Sequence, residues 1–153
     1  MYIVQIASEC APVAKVGGLG DVVFGLSREL EVRGHSVEII LPKYDCLRYD
    51  QIFDLRLAFK DLWVPWYEYA VHCSVYFGFV HGRKCFFIEP HSGHNFFNRR
   101  VFYGQVDDDQ RFAFFCRAAL ESEAEWGAPQ AEPGPQNLCS SVSICGSAFS
   151  RET

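Results

Sequence analysis

Long apolar runs are missing from this sequence, although 49% of its 153 residues are hydrophobic. A membrane-spanning helix needs about 20 consecutive apolar residues, and no segment of the chain approaches that length. The opening letters M-Y-I-V-Q-I also lack the basic start and the long apolar stretch of a secretory signal. We therefore expect no membrane association, and a chain of this length predicts one domain-sized core.

Concentrated positive charge is also lacking. The formal net charge is −5, and the adjacent pair Arg99-Arg100 does not amount to a basic patch. Affinity for a nucleic-acid backbone comes from clustered Lys and Arg side chains. The sequence therefore predicts no nucleic-acid partner.

Closely spaced cysteine pairs are absent too, because no two of the seven cysteines show the C-x-x-C spacing. Metal-binding cysteines normally lie two to four residues apart, so a metal site is disfavoured. An odd number of scattered cysteines predicts reduced thiols in an intracellular compartment. They are Cys10, Cys46, Cys73, Cys85, Cys116, Cys139 and Cys145.

The first forty residues show the order strand, loop, helix, strand. Residues 2–7 are a short apolar run, and residues 9–20 contain the Pro and Gly of a loop. The helix is predicted from Asp21 to a terminating Gly34, and residues 36–41 predict a second strand. The apolar side of the predicted helix consists of Val22, Leu26 and Leu30. This order is typical of a parallel crossover unit in an α/β sheet.

Further strands and one more helix are predicted downstream. The β-rich stretches are residues 55–60, 69–80 and 84–88, with a hairpin through His81-Gly82-Arg83 joining the last two. Residues 107–121 return to helical spacing. Beyond them, residues 122–153 contain scattered Pro, Ser and Gly without periodicity, so we expect a disordered tail.

The loop from Ser8 to Asp21 has the composition of an anion cradle. It follows a strand and precedes a helix, whose free N–H groups and positive dipole end favour an anion. Gly17 and Gly18 would let the backbone approach a phosphate, and Lys15 would add a mobile positive charge. The residues alone leave an ordinary glycine-rich turn with a solvated lysine equally open.

Two common phosphate-binding motifs do not fit this loop. The dinucleotide pattern G-x-G-x-x-G, started at Gly18, meets Val23 where its third glycine belongs. The P-loop pattern fails because Gly20 and Gly25 are followed by Leu26 instead of lysine. An unrelated nucleotide-binding α/β protein is therefore disfavoured.

The letters of the loop and of several later segments resemble the ADP-glucose-dependent starch and glycogen synthases, in their bacterial and plant plastid form. The resemblance covers residues 1–121, leaving 122–153 as a non-homologous tail. It rests on S-E-C-A-P-V-A-K-V-G-G-L-G-D-V (8–22), G-H-S-V-E-I-I-L-P-K-Y (34–44), F-F-I-E-P-H (86–91), F-F-N-R-R-V-F-Y-G (96–104) and D-D-D-Q-R-F-A-F-F-C-R-A-A-L-E (107–121).

The resemblance implies a fold, an activity and site residues. The fold is a Rossmann-like α/β sheet with a parallel core, part of the N-terminal, acceptor-side domain of a GT-B two-domain glycosyltransferase. The activity is glucosyl transfer from ADP-glucose to the non-reducing end of an α-1,4-glucan, without metal or cofactor. Lys15, Gly17 and Gly18 match ADP-glucose-contacting positions. Asp21 and Tyr103 are assigned to the acceptor or to loop geometry, and a helix cap stays an alternative for Asp21.

Two other features have a structural and a functional interpretation. Asp107-Asp108-Asp109 contains the D-x-D pattern that holds a cation in other sugar transferases, but at a helix start we favour a cap. The loop aromatics Phe96, Phe97, Phe102 and Tyr103 are predicted mainly to pack the loop, with Tyr103 the exception most suited to a sugar.

The rest of the family's catalytic site is not visible in this sequence. The resemblance implies a later histidine segment and a full second domain, so we expect the chain alone to be inactive, and we expect an altered reading frame or an incomplete gene model after Glu121. The alternative is a non-catalytic module that binds glucan or pairs with another synthase chain. The expected location is the bacterial cytoplasm or the plastid stroma.

Overall fold

The computed structural model describes residues 1–126 and 141–145. They form six strands, two α-helices and one short 3-10 helix at Tyr49–Gln51. In chain order the elements are β1 (Tyr2–Ala7), α1 (Gly18–Val32), β2 (Ser36–Pro42), β3 (Ile52–Trp66), β4 (Tyr69–Val80), β5 (Arg83–His91), α2 (Asp108–Trp126) and β6 (Ser141–Cys145).

All six strands belong to one mixed sheet with the order β3-β4-β5-β2-β1-β6. The pairs β6-β1, β1-β2 and β2-β5 are parallel, whereas β5-β4 and β4-β3 are antiparallel. The predicted α/β class with a parallel core is therefore confirmed. Because parallel strands end at a common edge, the loop after β1 opens at the edge where β2 and β5 also end.

The core lies along the parallel strands, where Ile39, Ile40 and Leu41 of β2 have no exposed surface. Near-continuous apolar runs of this kind are expected in strands covered on both faces. From α2, the side chains of Phe114, Phe115, Ala118 and Ala119 complete this core.

Helix α1 turns a different side to the sheet from the one predicted. Its buried residues are Gly20, Val23 and Ser27, whereas Val22 and Leu26 are 57% and 44% exposed. Gly20 packs against the loop before α1, and Ser27 is not hydrophobic, so apolar spacing alone does not reveal this buried side. The prediction that Val22 and Leu26 form the buried side was wrong.

The chain turns predicted from glycine are confirmed. Gly34 follows α1 with a φ of +84°, and its N–H donates to the Glu31 carbonyl at 2.9 Å, as a C-terminal glycine does. The β4–β5 hairpin turns through His81 and Gly82, with φ values of +47° and +82°. Positive φ at both central residues is typical of a two-residue hairpin turn.

Two stretches are more ordered than predicted. Strand β3 extends from Ile52 to Trp66 and pairs with β4 through a second hairpin whose turn is Tyr67-Glu68. In the tail, 122–126 continue α2 and Ser141–Cys145 pair with β1, so the expected disorder was wrong for those residues. Residues 127–140 and 146–153 lie outside the described part. No described helix is long and apolar enough to cross a membrane.

Candidate functional site

The loop between β1 and α1 is folded back onto the start of α1. Cys10 and Ala14 exchange two backbone hydrogen bonds of 2.9 Å, and Ala11 N–H donates to the Gly20 carbonyl at 3.0 Å. A methyl group at Gly20 would stand 3.2 Å from both Ala11 N and Ala14 O. A side chain at this position would crowd the backbone where the loop and helix touch, so glycine is favoured there.

A buried carboxylate organises this loop from within. Glu9 is 4% exposed, and its Oε2 accepts the N–H groups of Val16 at 2.9 Å and Gly17 at 3.2 Å. Its Oε1 accepts the Tyr103 hydroxyl at 2.8 Å. Hydrogen bonds to a charged acceptor are stronger than neutral ones, so Glu9 fixes the position of residues 15–17.

Tyr103 supports the loop from the far end of the chain. Its hydroxyl lies 2.8 Å from both Ser8 Oγ and Glu9 Oε1. Since each hydroxyl has one proton and Tyr103 donates to Glu9, Ser8 donates to Tyr103. Burial raises the pKa of Tyr103, so the phenol remains a donor. The sequence assigned Tyr103 to the acceptor or to loop geometry, and in this structure its hydroxyl is bonded within the loop.

Lys15 and Asp21 lie together at the surface of the loop. Lys15 Nζ is 2.8 Å from Asp21 Oδ2, with side chains 47% and 56% exposed. An exposed ion pair of this kind contributes at most about 1 kcal/mol to stability. The Lys15 ammonium group can therefore leave Asp21 and pair with an incoming anion at little cost. Asp21 lies in the first turn of α1, but the N-cap residue is Gly17, without a side-chain cap. The helix-cap alternative for Asp21 was wrong.

Open space adjoins both glycines that the sequence singled out. Gly17 and Gly18 are exposed, and a methyl group at either would meet no atom within 4 Å. The first N–H groups of α1, beginning at Gly18, have no acceptor within the helix. The Gly17 N–H is already taken by Glu9. Gly17 therefore offers room for an anion, and the turn that begins at Gly18 offers donors.

A cleft of about 480 Å³ opens beside the loop. Arg48 lines it together with Lys15, so two cations face the same space. Neither Arg48 nor Glu9 was predicted from the sequence, although an acidic residue two positions after a buried strand is a signal for Glu9. Other lining residues include Pro12, Asp21, Cys46 and Phe102.

Residues 2–131 match the family described as the starch synthase catalytic domain. The chain belongs to this family. Over 121 residues it is 75% identical to glycogen synthase 1 of Synechococcus sp. (strain JA-2-3B'a(2-13)), covering 79% of this chain and 25% of that protein. Over 117 residues it is 74% identical to glycogen synthase 2 of Methylococcus capsulatus, covering 76% and 24%.

A solved starch synthase structure shares the fold. The catalytic domain of starch synthase IV from Arabidopsis thaliana, bound to ADP and acarbose, matches with a TM-score of 0.81 and 49% identity over 82% of this chain. The match confirms the Rossmann-like part of a GT-B domain that the sequence implied. It covers 26% of that structure, and the chain spans about a quarter of the curated synthases it matches.

In this chain, arginines pair with two carboxylates of the Asp107–Asp109 segment. Arg99 contacts both carboxylate oxygens of Asp107 at 2.6 and 2.8 Å, and this hydrogen bonding lowers the pKa of Asp107. Asp108 Oδ2 accepts Gly104 N–H at 2.7 Å, while its other oxygen pairs with the buried Arg111. These carboxylates therefore fix the loop ahead of α2.

The predicted packing role of the loop aromatics is confirmed for three of them. Phe96 and Phe97 are 4% and 1% exposed, and Phe96 stacks on Phe114 with ring centroids 4.5 Å apart. Phe102 packs edge-on against Tyr44 at 4.8 Å. Among the described residues, most exposed aromatic side chains lie elsewhere, on the β3–β4 hairpin, and Tyr49 lies on the 3-10 helix.

Proposed function

We propose that this chain forms the acceptor-side wall of an enzyme that transfers glucose from ADP-glucose to the non-reducing end of an α-1,4-glucan. The observation that carries the proposal is the weakly held Lys15 ammonium, beside the start of α1 and the open space at Gly17 and Gly18. The related Arabidopsis structure contains ADP and acarbose. The same two kinds of ligand suit this chain.

The proposed chemistry is stabilisation of charge on the leaving diphosphate. As the glucosyl bond breaks, the sugar becomes oxocarbenium-like and negative charge gathers on the phosphates. Lys15 leaves Asp21 for the diphosphate, while the N–H groups from Gly18 onward donate to its oxygens. Asp21, released from Lys15, then faces the cleft as an acceptor for a sugar hydroxyl. Tyr103 acts through Glu9 by holding the loop in shape.

We also propose that the part homologous to the synthases ends near Glu121, with residues 122–153 as a non-homologous tail, although 122–126 continue α2 and Ser141–Cys145 pair with β1. The alignments to the cyanobacterial synthases cover 121 residues, although the family match continues to residue 131. The cysteines with described side chains, Cys10, Cys46, Cys73, Cys85 and Cys116, are free thiols. They favour a reducing compartment, either bacterial cytoplasm or plastid stroma.

The alternative function is a non-catalytic glucan-binding or synthase-associated module. Exposed Val22 and Leu26 on α1 offer an apolar surface for another synthase chain. Retention of the chain on amylopectin without any dependence on Lys15 would favour this alternative.

The purified 153-residue chain is expected to show no glucosyl transfer by itself. A nucleotide sugar held between two domains binds weakly when one wall is absent. The measurement is incorporation of labelled glucose from ADP-glucose into glycogen, with full-length Synechococcus glycogen synthase 1 as the positive control. Turnover near that of the control would contradict the assignment of this chain to one wall of the site.

A further inference from the structure

One edge of the sheet is strand β3, and its sequence and pairing protect it. An edge strand has unpaired backbone groups that a strand from another chain can bind. The pairing of β3 with β4 is interrupted by three register shifts, and β3 carries several charged residues and Pro65. Bulges, charges and proline are the usual means by which proteins protect a sheet edge. The β3 edge therefore does not favour the addition of another strand.

Strand β1, towards the other end of the sheet, has none of these protective features. Its sequence Y-I-V-Q-I-A contains no charged residue and no proline, and its parallel register with β2 is uninterrupted. The residues from Ile3 to Ala7 are all buried, with at most 9% exposure. A parallel strand that is covered on both faces is typical of the interior of a sheet. The structure of β1 therefore favours a partner strand on each side.

Strand β6 pairs with the side of β1 that β2 leaves open. Its five residues run parallel to β1 without a register shift, from Ile3↔Ser141 to Ala7↔Cys145. Two of the five residues in S-V-S-I-C are β-branched, which favours a strand. With β6 in place, β1 is an interior strand and β6 is the edge strand.

The segment that supplies β6 lies outside the family match, which covers residues 2–131. Strands β1 to β5 all lie within that match. Among the described strands, β6 neighbours β1 alone, so it can leave without breaking any other strand pair. A strand from outside the family match therefore completes the sheet, and it can be detached separately.

We propose that the side of β1 facing away from β2 is a binding surface for a parallel, uncharged strand, and that Ser141–Cys145 of this same chain occupy and cover it. The mode of binding is strand addition, in which backbone N–H and C=O groups supply the hydrogen bonds. While β6 is bound, β1 is closed to a strand of another synthase chain and to a second copy of this chain. Strand β6 therefore keeps the chain monomeric. The inference is independent of the proposed donor site.

The first test places two prolines in β6 of the whole 153-residue chain, as Ser143→Pro combined with Ile144→Pro. Successive N–H groups of a strand point to opposite sides, so one of two adjacent prolines removes a hydrogen bond to β1. Hydrogen exchange should then become faster, by roughly tenfold or more, at the alternate β1 amides that face β6. The β1 amides that face β2 should stay slow. The matched control, Ser147→Pro with Ser150→Pro, places two prolines after β6 and should leave β1 exchange unchanged.

The second test follows the assembly state of the same variants. We expect the wild-type chain to be a monomer and the Ser143→Pro/Ile144→Pro variant to form dimers or larger assemblies, because an unprotected edge pairs with other chains. Light scattering after size exclusion measures the difference. A reduced peptide of residues 140–147, S-S-V-S-I-C-G-S, added in excess should restore the monomer and the slow β1 exchange. The same peptide with proline at positions 143 and 144 should restore neither.

Several results would overturn the inference. They are unchanged β1 exchange in the Ser143→Pro/Ile144→Pro variant, equally fast exchange in the control with prolines after β6, and a variant that stays monomeric and does not bind the peptide. Fast exchange in every strand of the variant would show that β6 is required for folding and is not a detachable cover, which also contradicts the proposal. Failure of the donor-site proposal looks different, because ADP would then leave the β1–α1 loop unaffected while β1 exchange still depends on β6.

Discussion

Replacing Lys15 by alanine is expected to lower kcat/KM by about 100-fold, equivalent to about 2.7 kcal/mol of transition-state stabilisation. The measurement requires a complete synthase, which a chimera provides. Residues 1–121 of this chain replace the matching segment of Synechococcus glycogen synthase 1, to which they are 75% identical. Because Lys15 meets charge that grows on the leaving diphosphate, kcat should fall as well as affinity for ADP-glucose.

The matched control is Lys60→Ala in the same chimera. Lys60 is an exposed lysine on β3, the edge strand that lies four strand positions from β1. Its replacement should leave kcat and KM unchanged. If Lys15→Ala changed neither constant in an active chimera, Lys15 would have no part in donor chemistry.

Replacing Glu9 by alanine is expected to lower the free energy of unfolding of the chain by about 3 kcal/mol. The change removes one carboxylate that accepts three hydrogen bonds, from Val16 N–H, Gly17 N–H and the Tyr103 hydroxyl. Bonds to a charged group contribute about 1.5–3 kcal/mol each, and part of this loss returns as solvent reaches the freed donors. Urea unfolding followed by circular dichroism measures the difference.

Tyr103→Phe is the smaller change within the same network. It removes the donor to Glu9 and the acceptor of Ser8, and it leaves the two loop N–H groups bonded to Glu9, so a loss of about 1 kcal/mol is expected. Glu121→Ala serves as the control, since it breaks only the surface contact with Arg117 at 2.6 Å, and about 0.5 kcal/mol or less is expected. A loss for Glu9→Ala as small as that for Glu121→Ala would show that the carboxylate does not organise the loop.

The parts of the fold predicted from sequence have strong local signals. The strand Tyr2–Ala7 and the β4 strand Tyr69–Val80 have the bounds expected from their apolar runs. Gly34 and the His81-Gly82 turn were recognised because glycine accepts positive φ. Membership of the synthase family was predicted from long sequence motifs, and the family match confirms it.

The parts that were not predicted depend on contacts across the sheet. The Tyr67-Glu68 turn lacks the usual turn residues. The β3–β4 hairpin was therefore not predicted from the sequence, and only the strand pairing shows it. The buried side of α1 was misassigned because Gly20 and Ser27 are buried although neither is hydrophobic. Short-range periodicity records hydrophobicity, and it does not record how closely two elements approach.

The candidate site was predicted in its position and only partly in its chemistry. Lys15, Gly18 and Asp21 lie together around the start of α1 as proposed from the letters. The role of Gly17 changed because Glu9, seven to eight residues before the amides it binds, takes the Gly17 N–H. A contact of this kind depends on how the loop folds back, and it becomes visible only with coordinates.

The central claim is that the loop between β1 and α1 receives the diphosphate of a sugar nucleotide, and amide NMR of the 153-residue chain titrated with ADP tests it most directly. The account predicts saturable shifts largest at Gly18 and Leu19, smaller with AMP or NAD, and reduced by Lys15→Ala or Gly18→Ala. Gly18→Ala places a methyl group where no atom lies within 4 Å, so it should act on the ligand without unfolding the chain. The claim would be contradicted if the amide signals of residues 15–21 did not shift at saturating ADP. Larger shifts with NAD than with ADP would contradict it as well.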